Sequence, residues 1–202
     1  MTGNGTTPDP PTDVRRLDTP DARVLVELAG TFEELQTVLQ CCEQLVAALA
    51  GGQDAVLVDA LWTTAILSYT RSFAPEKGSG LREDDLAATG LEGDLVEWHR
   101  LLLRVREHLA DPVVNPREIF SVGIARDAQG APSGVAVTSA RQPSVDDLTV
   151  RQTGALAYAL SRVVNDRIEA AQEELLEQVQ GMGRSELDEL VPLDIAPALP
   201  TP

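Results

Sequence analysis

Apolar residues that return every three or four positions, over several long stretches, constrain this chain most, because that spacing buries one face of a helix. Phe32, Leu35, Val38, Leu39, Cys42, Leu45, Val46 and Leu49 form one such stripe. Thr31-Phe-Glu-Glu34 has the form of a capping box that would open this helix, and Gly51-Gly52 would stop it. The short run Val24–Leu28 reads either as an edge strand or as the lead-in to the same helix. A second helix is expected over 54–73, with Trp62, Ile66, Tyr69 and Phe73 on one face. Leu57, Leu61 and Ala65 widen that face, so this helix is expected at the centre of the fold.

The pattern continues with a short acidic helix after Arg82 and a longer one over 93–110, whose seam is Leu95, Trp98, Leu102, Val105 and Leu109. Pro112 and Pro116 close it. The period then changes. Residues 119–125 and 134–139 alternate loosely, are rich in β-branched side chains, and flank a turn-rich segment, which predicts a β-hairpin at about 119–140. Ser144 is the expected cap of a last helix over 145–180, with Leu148, Leu156, Leu160, Val163, Ile168, Leu175, Leu176 and Val179 on its stripe. A helix that long outreaches a small domain, so its far end is expected to serve a partner or a dimer seam. The fold class is therefore mainly α: an antiparallel helical bundle with one inserted β-hairpin and a long C-terminal helix. The domain is expected over 23–180, between a Pro-, Gly- and Thr-rich disordered arm at 1–22 and a flexible acidic tail at 181–202.

Composition limits what such a domain does. Hydrophobic residues make up 43% of the 202 residues but aromatics only 3%, so the core must be aliphatic. A formal net charge of −16 repels phosphate backbones and anionic membranes, which argues against a general nucleic-acid binder or a membrane protein. The first residues show neither a basic start nor an apolar core of a signal peptide, and no apolar run reaches membrane-spanning length. A cytoplasmic protein is the expectation. Cys41 and Cys42 are neighbours on a helix, about 100° apart, and read as small core residues in a reducing compartment. With no second cysteine pair and only His99 and His108, no metal site is expected. No cofactor is expected either, since Gly78-Ser-Gly80 lacks the lysine of a phosphate loop.

One stretch carries a hint of chemistry. RNA cleavage on a helical scaffold needs a proton-transferring group near neutrality, for which histidine is suited, and a cation for the scissile phosphate, for which the arginine fork is suited. Trp62-Thr-Thr-Ala-Ile-Leu-Ser-Tyr-Thr-Arg-Ser-Phe73, with Trp98-His-Arg-Leu-Leu-Leu-Arg-Val-Arg-Glu-His-Leu-Ala-Asp111 followed by Asn115 and Glu118, resembles the HEPN-type helical proteins. The resemblance spans roughly residues 30–180. It implies an up-and-down four-helix core and frequent homodimers, in a superfamily that holds ribonucleases beside non-catalytic relatives. It also implies that Arg106 stands at the motif arginine, Glu107 in the polar slot and Asp111 in the histidine slot. Aspartate, with an ordinary pKa of about 3.9, is ionised at neutral pH and repels phosphate. The expectation is a degenerate motif, with Arg71 turned toward Arg106 as a small anion site, and a non-catalytic protein that self-associates. Two alternatives stand beside it. One is a HEPN-type ribonuclease or nucleotide-handling enzyme using Arg106 with His99 or His108. The other is an acidic binder of a basic partner, acting through Glu83-Asp-Asp85, Glu92, Asp94, Glu97 and the tail. The plain expectations are that these arginines pair with acids, that Trp62 and Trp98 anchor the core, and that both histidines lie at the surface.

Overall fold

A computed structural model describes residues 13–52, 54–73 and 78–193. The fold is mainly α: six helices and one two-stranded antiparallel hairpin, among the described residues. The first helix, α1, runs Pro20–Ala50. It starts well before the Thr31 box. Thr19 caps it by accepting from the Ala22 N–H at 3.1 Å, Pro20 stands in the first turn where its missing donor costs nothing, and Asp21 meets the positive end of the helix. Thr31 lies inside the helix, fully buried, with its hydroxyl on the Glu27 carbonyl at 3.0 Å. The Val24–Leu28 run is therefore helical, and α1 begins within the stretch that composition assigns to the N-terminal arm.

Helix α2 (Ala55–Ser72) follows a turn at Gly51-Gly52, where Gly52 has a positive φ of 62° that glycine adopts without a Cβ penalty. Then come α3 (Asp85–Ala88), α4 (Leu95–Ala110), β1 (Glu118–Arg126), β2 (Pro132–Arg141), α5 (Asp147–Gln180) and α6 (Arg184–Glu189). The cap of α5 is Asp146 rather than Ser144; its carboxylate accepts from the Thr149 N–H at 2.7 Å.

The long helix α1 takes the centre that the sequence assigns to α2. It packs on α2 along one side and on α5 along another, while α2 in turn packs on α4. Leu35, Val38, Cys42 and Leu45 are buried on α1, Val58, Ala65, Ile66 and Tyr69 on α2, and Val150, Leu156, Leu160 and Val164 on α5. Of the residues that widen the α2 stripe, Ala65 is fully buried and Leu61 packs partly buried against the core, while Leu57 is exposed. Helices α1 and α5 run antiparallel along their whole length. Gly154 lets them approach closely, since a Cβ there would lie 3.4 Å from the Cys42 Cβ. At the other end the Gln178 side chain donates to Asp21 at 2.8 Å. The far end of α5 thus lies against the first turns of α1, with Leu28 and Leu175 buried, and does not outreach the domain; Leu148 and Leu176 stay exposed.

The first and last described segments meet. Arg15 and Pro192 form an antiparallel bridge, the Arg16 N–H donates to the Val191 carbonyl at 2.8 Å, and the Leu193 N–H to the Val14 carbonyl at 2.8 Å. Arg15 adds a guanidinium bond to the Leu190 carbonyl at 3.1 Å. No described helix is long and apolar enough to cross a membrane.

Candidate functional site

The end of α2, one face of α4 and the loop from Gly78 to Glu83 enclose a cleft of about 810 Å³. Its wall on α4 is made by His99, Leu103, Arg106 and Glu107, at i, i+4, i+7 and i+8, a spacing that places them on one helical face. Thr70 and Arg71 come from α2 and Phe73 from its C-cap, and Arg82 and Glu83 from the loop. The Leu81 N–H donates to the Ser72 carbonyl at 3.0 Å and holds that loop over the end of α2. Three of the four residues singled out in sequence, Arg71, Arg106 and Glu107, line this one cleft.

Asp111 does not line it. It is exposed at the C-cap of α4 in extended conformation, and its carboxylate accepts from the Val113 N–H at 2.8 Å. That bond is a local turn-forming contact, which aspartate makes readily. His108 lies elsewhere too. With Arg104, Val105 and Leu109 it lines a smaller groove of about 300 Å³ beside Asp59, Trp62 and Arg117 at the base of the hairpin. Helix α4 therefore separates Arg106, which lines one cavity, from His108, which lines the other.

His99 is the residue whose position the sequence reading misplaced. It is buried, not superficial. Its Nδ1 lies 2.9 Å from the Tyr69 hydroxyl, and its ring stacks obliquely on Phe73 with centroids 4.3 Å apart. Tyr69 and Phe73 are themselves 5.1 Å apart, so three rings form one cluster at the floor of the cleft. Burial lowers the His99 pKa below its ordinary value; Glu83 opposes this and Arg100 adds to it. Burial raises that of Tyr69 far above the usual range. The imidazole is neutral at pH 7 and the phenol keeps its proton. Taking the phenol as donor assigns the remaining ring proton to Nε2. The signal was present in the sequence: His99 sits one turn from Leu95 and from Leu102, on the apolar seam.

The cations differ in how they are engaged. Arg71 approaches Glu34 at 3.7 Å, and Arg100, just outside the cleft, holds Glu83 through two bonds at 2.9 and 3.3 Å. Arg82 and Arg106 make no ion pair with a described residue. Three arginines against Glu83 and Glu107 make the cleft lining locally positive in a chain of net charge −16. The acidic run nearby is partly occupied by the chain's own cations: Glu83 by Arg100, Glu97 by Arg104 at 2.7 Å, and Asp85 by Arg167. Burial disfavours the Asp85 carboxylate, but hydrogen bonds from Arg167 and from the Arg82 N–H outweigh that and hold its pKa below the ordinary value.

Neither tryptophan is fully buried; the large aromatic side chain wholly inside is Tyr69. Trp98 is half-buried with an enclosed Nε1 that has no partner, and Trp62 lines the second groove. The cysteines are buried free thiols, and burial raises both pKa values, that of Cys42 to about 12 with Cys41 adding to the effect, which makes them poor nucleophiles. Among the described residues no group of three or more His, Cys, Asp or Glu side chains is placed to hold a metal ion.

Fold and cleft together define a helical bundle with a positive cleft between α2 and α4 and an appended β-ribbon. No family model, curated protein or solved structure matches the chain.

Proposed function

We propose that this chain is a non-catalytic, HEPN-like helical protein that acts through protein–protein interaction and associates with itself. The hairpin carries this reading. It has Ile119, Phe120, Val122, Ile124, Val135 and Val137 in solvent, and no packed helix covers either of its faces. A two-stranded ribbon is marginally stable alone in water, and contiguous exposed apolar side chains mark an interaction surface. The absence of a proton-transferring group beside Arg106 at the Asp111 position supports the non-catalytic part. Size-exclusion chromatography with light scattering is expected to show a mass above 21.6 kDa that falls on dilution. A strict monomer at high concentration would end the self-association reading.

A second reading is favoured by one specific observation, that His99 and Arg106 line the same cleft with Arg71 and Arg82. Under it the protein is a ribonuclease or nucleotide-handling enzyme. The bond from Tyr69 counts against efficient proton transfer, because it engages Nδ1 and leaves Nε2 carrying the proton. Incubation with single-stranded RNA separates the two. Intact RNA is expected; cleavage that disappears in both His99→Ala and Arg106→Ala would establish the enzyme instead.

A further inference from the structure

The hairpin is not a uniform ribbon. Its register pairs Glu118 with Arg141, Phe120 with Ser139, Val122 with Val137 and Ile124 with Val135. Alternation puts these residues on one face, which is apolar between charged ends, and puts Ile119, Ser121, Gly123, Ala136, Thr138 and Ala140 on the other. The exposures of Phe120, Val122 and Ile124 are 57%, 75% and 71%, so the apolar face is open to solvent.

The backbone adds a second constraint. At the base the Gln142 N–H donates to the Arg117 carbonyl at 2.8 Å, and at the tip the Asp127 N–H donates to the Ala131 carbonyl at 2.9 Å. Hydrogen-bonded pairs alternate along an antiparallel ladder. The odd-numbered residues of β1 therefore spend their backbone groups on β2, and Phe120, Val122, Ile124 and Arg126 turn theirs outward. Glu118 also faces out, with its N–H already on the Asn115 side chain at 3.1 Å. The free edge of β1 is thus a row of unpaired donors and acceptors on the same residues that form the apolar face. The opposite edge is a poorer template: Pro132 has no N–H, and Arg141 has no acid at the other end of its strand.

The β1 edge is also its own complement. Antiparallel pairing of two copies about Val122 sets Val122 against Val122, Phe120 against Ile124, and Glu118 against Arg126. Each pair involves outward-facing backbone on both strands and apolar or opposite charge on one face. Such a palindrome suits a two-fold interface, in which one patch meets itself. It also converts two marginal ribbons into one four-stranded sheet. Arg126 already donates from Nε to the Gly130 carbonyl at 2.7 Å, which steadies its fork over the turn and leaves the terminal nitrogens for a carboxylate.

We propose that two copies of this chain join by antiparallel β1–β1 pairing centred on Val122. The proposal rests on the self-association reading and adds to it a strand, a register and a symmetry axis. Cross-linking tests it. In the full chain, Val122→Cys would place two thiols on the axis about 5.5 Å apart between Cα atoms, within disulfide range. Val137→Cys, across the same hairpin and similarly exposed, would not. Mild oxidation should give covalent dimer at least ten-fold faster from Val122→Cys, with buried Cys41 and Cys42 silent in the parent chain. Equal rates, or no cross-link in a protein that light scattering shows to be dimeric, would overturn the interface while leaving self-association standing. A monomer would overturn both. As an independent check, Glu118→Arg should raise the dimer Kd about ten-fold by setting like charges opposite each other twice, and adding Arg126→Glu should restore it. A double variant as weak as the single one, with helical circular dichroism unchanged, would likewise overturn the pairing.

Discussion

The α1–α5 seam and the β-hairpin carry similar aliphatic side chains, yet one is dry and the other stands in water. In the seam, Leu35, Val38, Leu45, Leu156, Leu160 and Val164 have at most 1% of their surface accessible. In the hairpin, Val122, Ile124, Val135 and Val137 all exceed 65%. Residue type does not explain the difference. What separates them is the opposing surface: two helices of similar length lie antiparallel and cover each other from end to end, while the hairpin has an opposing strand but no opposing layer. The lesson is that an apolar face becomes core only when the chain supplies a second face of matching length.

The sharpest way to break that contrast is to truncate matched side chains. Leu45→Ala in α1 should cost about 2–5 kcal/mol of stability in urea unfolding, because the site is fully enclosed. Ile124→Ala, measured on dilute protein, should stay within about 0.5 kcal/mol of the parent. Equal losses would mean that the ribbon is packed after all. Next in size is the seam's closest approach. Gly154→Val should destabilise by roughly 1–3 kcal/mol, since its Cβ would already meet Cys42 at 3.4 Å and the valine methyls would reach beyond that contact. A neutral effect would show that the two helices separate easily.

Smaller effects probe the polar links at the edges of the bundle. Arg167→Ala should cost about 1 kcal/mol, the value of a charge-assisted bond reduced by partial exposure. Because the Asp85 pKa is lowered in the folded state, its contribution is present above the ordinary carboxylate value of 3.8 and is lost as pH falls through the lowered one. The acid unfolding midpoint of Arg167→Ala should therefore lie at higher pH than the parent's. His99 acts in a different window. Its folded pKa lies below the ordinary 6.5, so the unfolded chain takes up a proton first and stability declines as pH drops below about 6.5. The slope from this one group cannot exceed about 1.4 kcal/mol per pH unit. His99→Gln should flatten the stability profile just below that pH, before the carboxylates titrate; an unchanged slope would place the imidazole in contact with water.

Much of the fold was legible in the residues. Helical spacing located α2, α4 and α5 within a few positions, and the change of period at Ile119 announced the hairpin. The errors have physical causes. Thr31, followed three residues later by glutamate, has the usual form of a cap, yet α1 starts at Pro20. Thr19-Pro20-Asp21 supplies a stronger start, and α5 gives the added turns a surface to lie on. The wider apolar face of α2 points to it as the centre, but centrality depends on how much of a helix its neighbours cover: α1 packs extensively on both α2 and α5, whereas α2 meets α4 over a much smaller contact. At the site, Arg71, Arg106 and Glu107 line one cleft while Asp111 lies outside it. The burial of His99 was missed, although its seam position was visible, because the bond that offsets its burial comes from Tyr69, thirty residues away.

Local period and capping chemistry, both written in neighbouring residues, determined which segments are helices, where the ribbon lies and that the core is aliphatic. Only the tertiary structure decided which of those apolar faces are covered. It brought the end of α5 against the start of α1, divided Arg106 from His108 across α4, and left β1 with an open edge. Those outcomes depend on contacts between residues far apart in sequence, whose free energy comes from surfaces meeting, and no spacing within one segment records what that segment will meet.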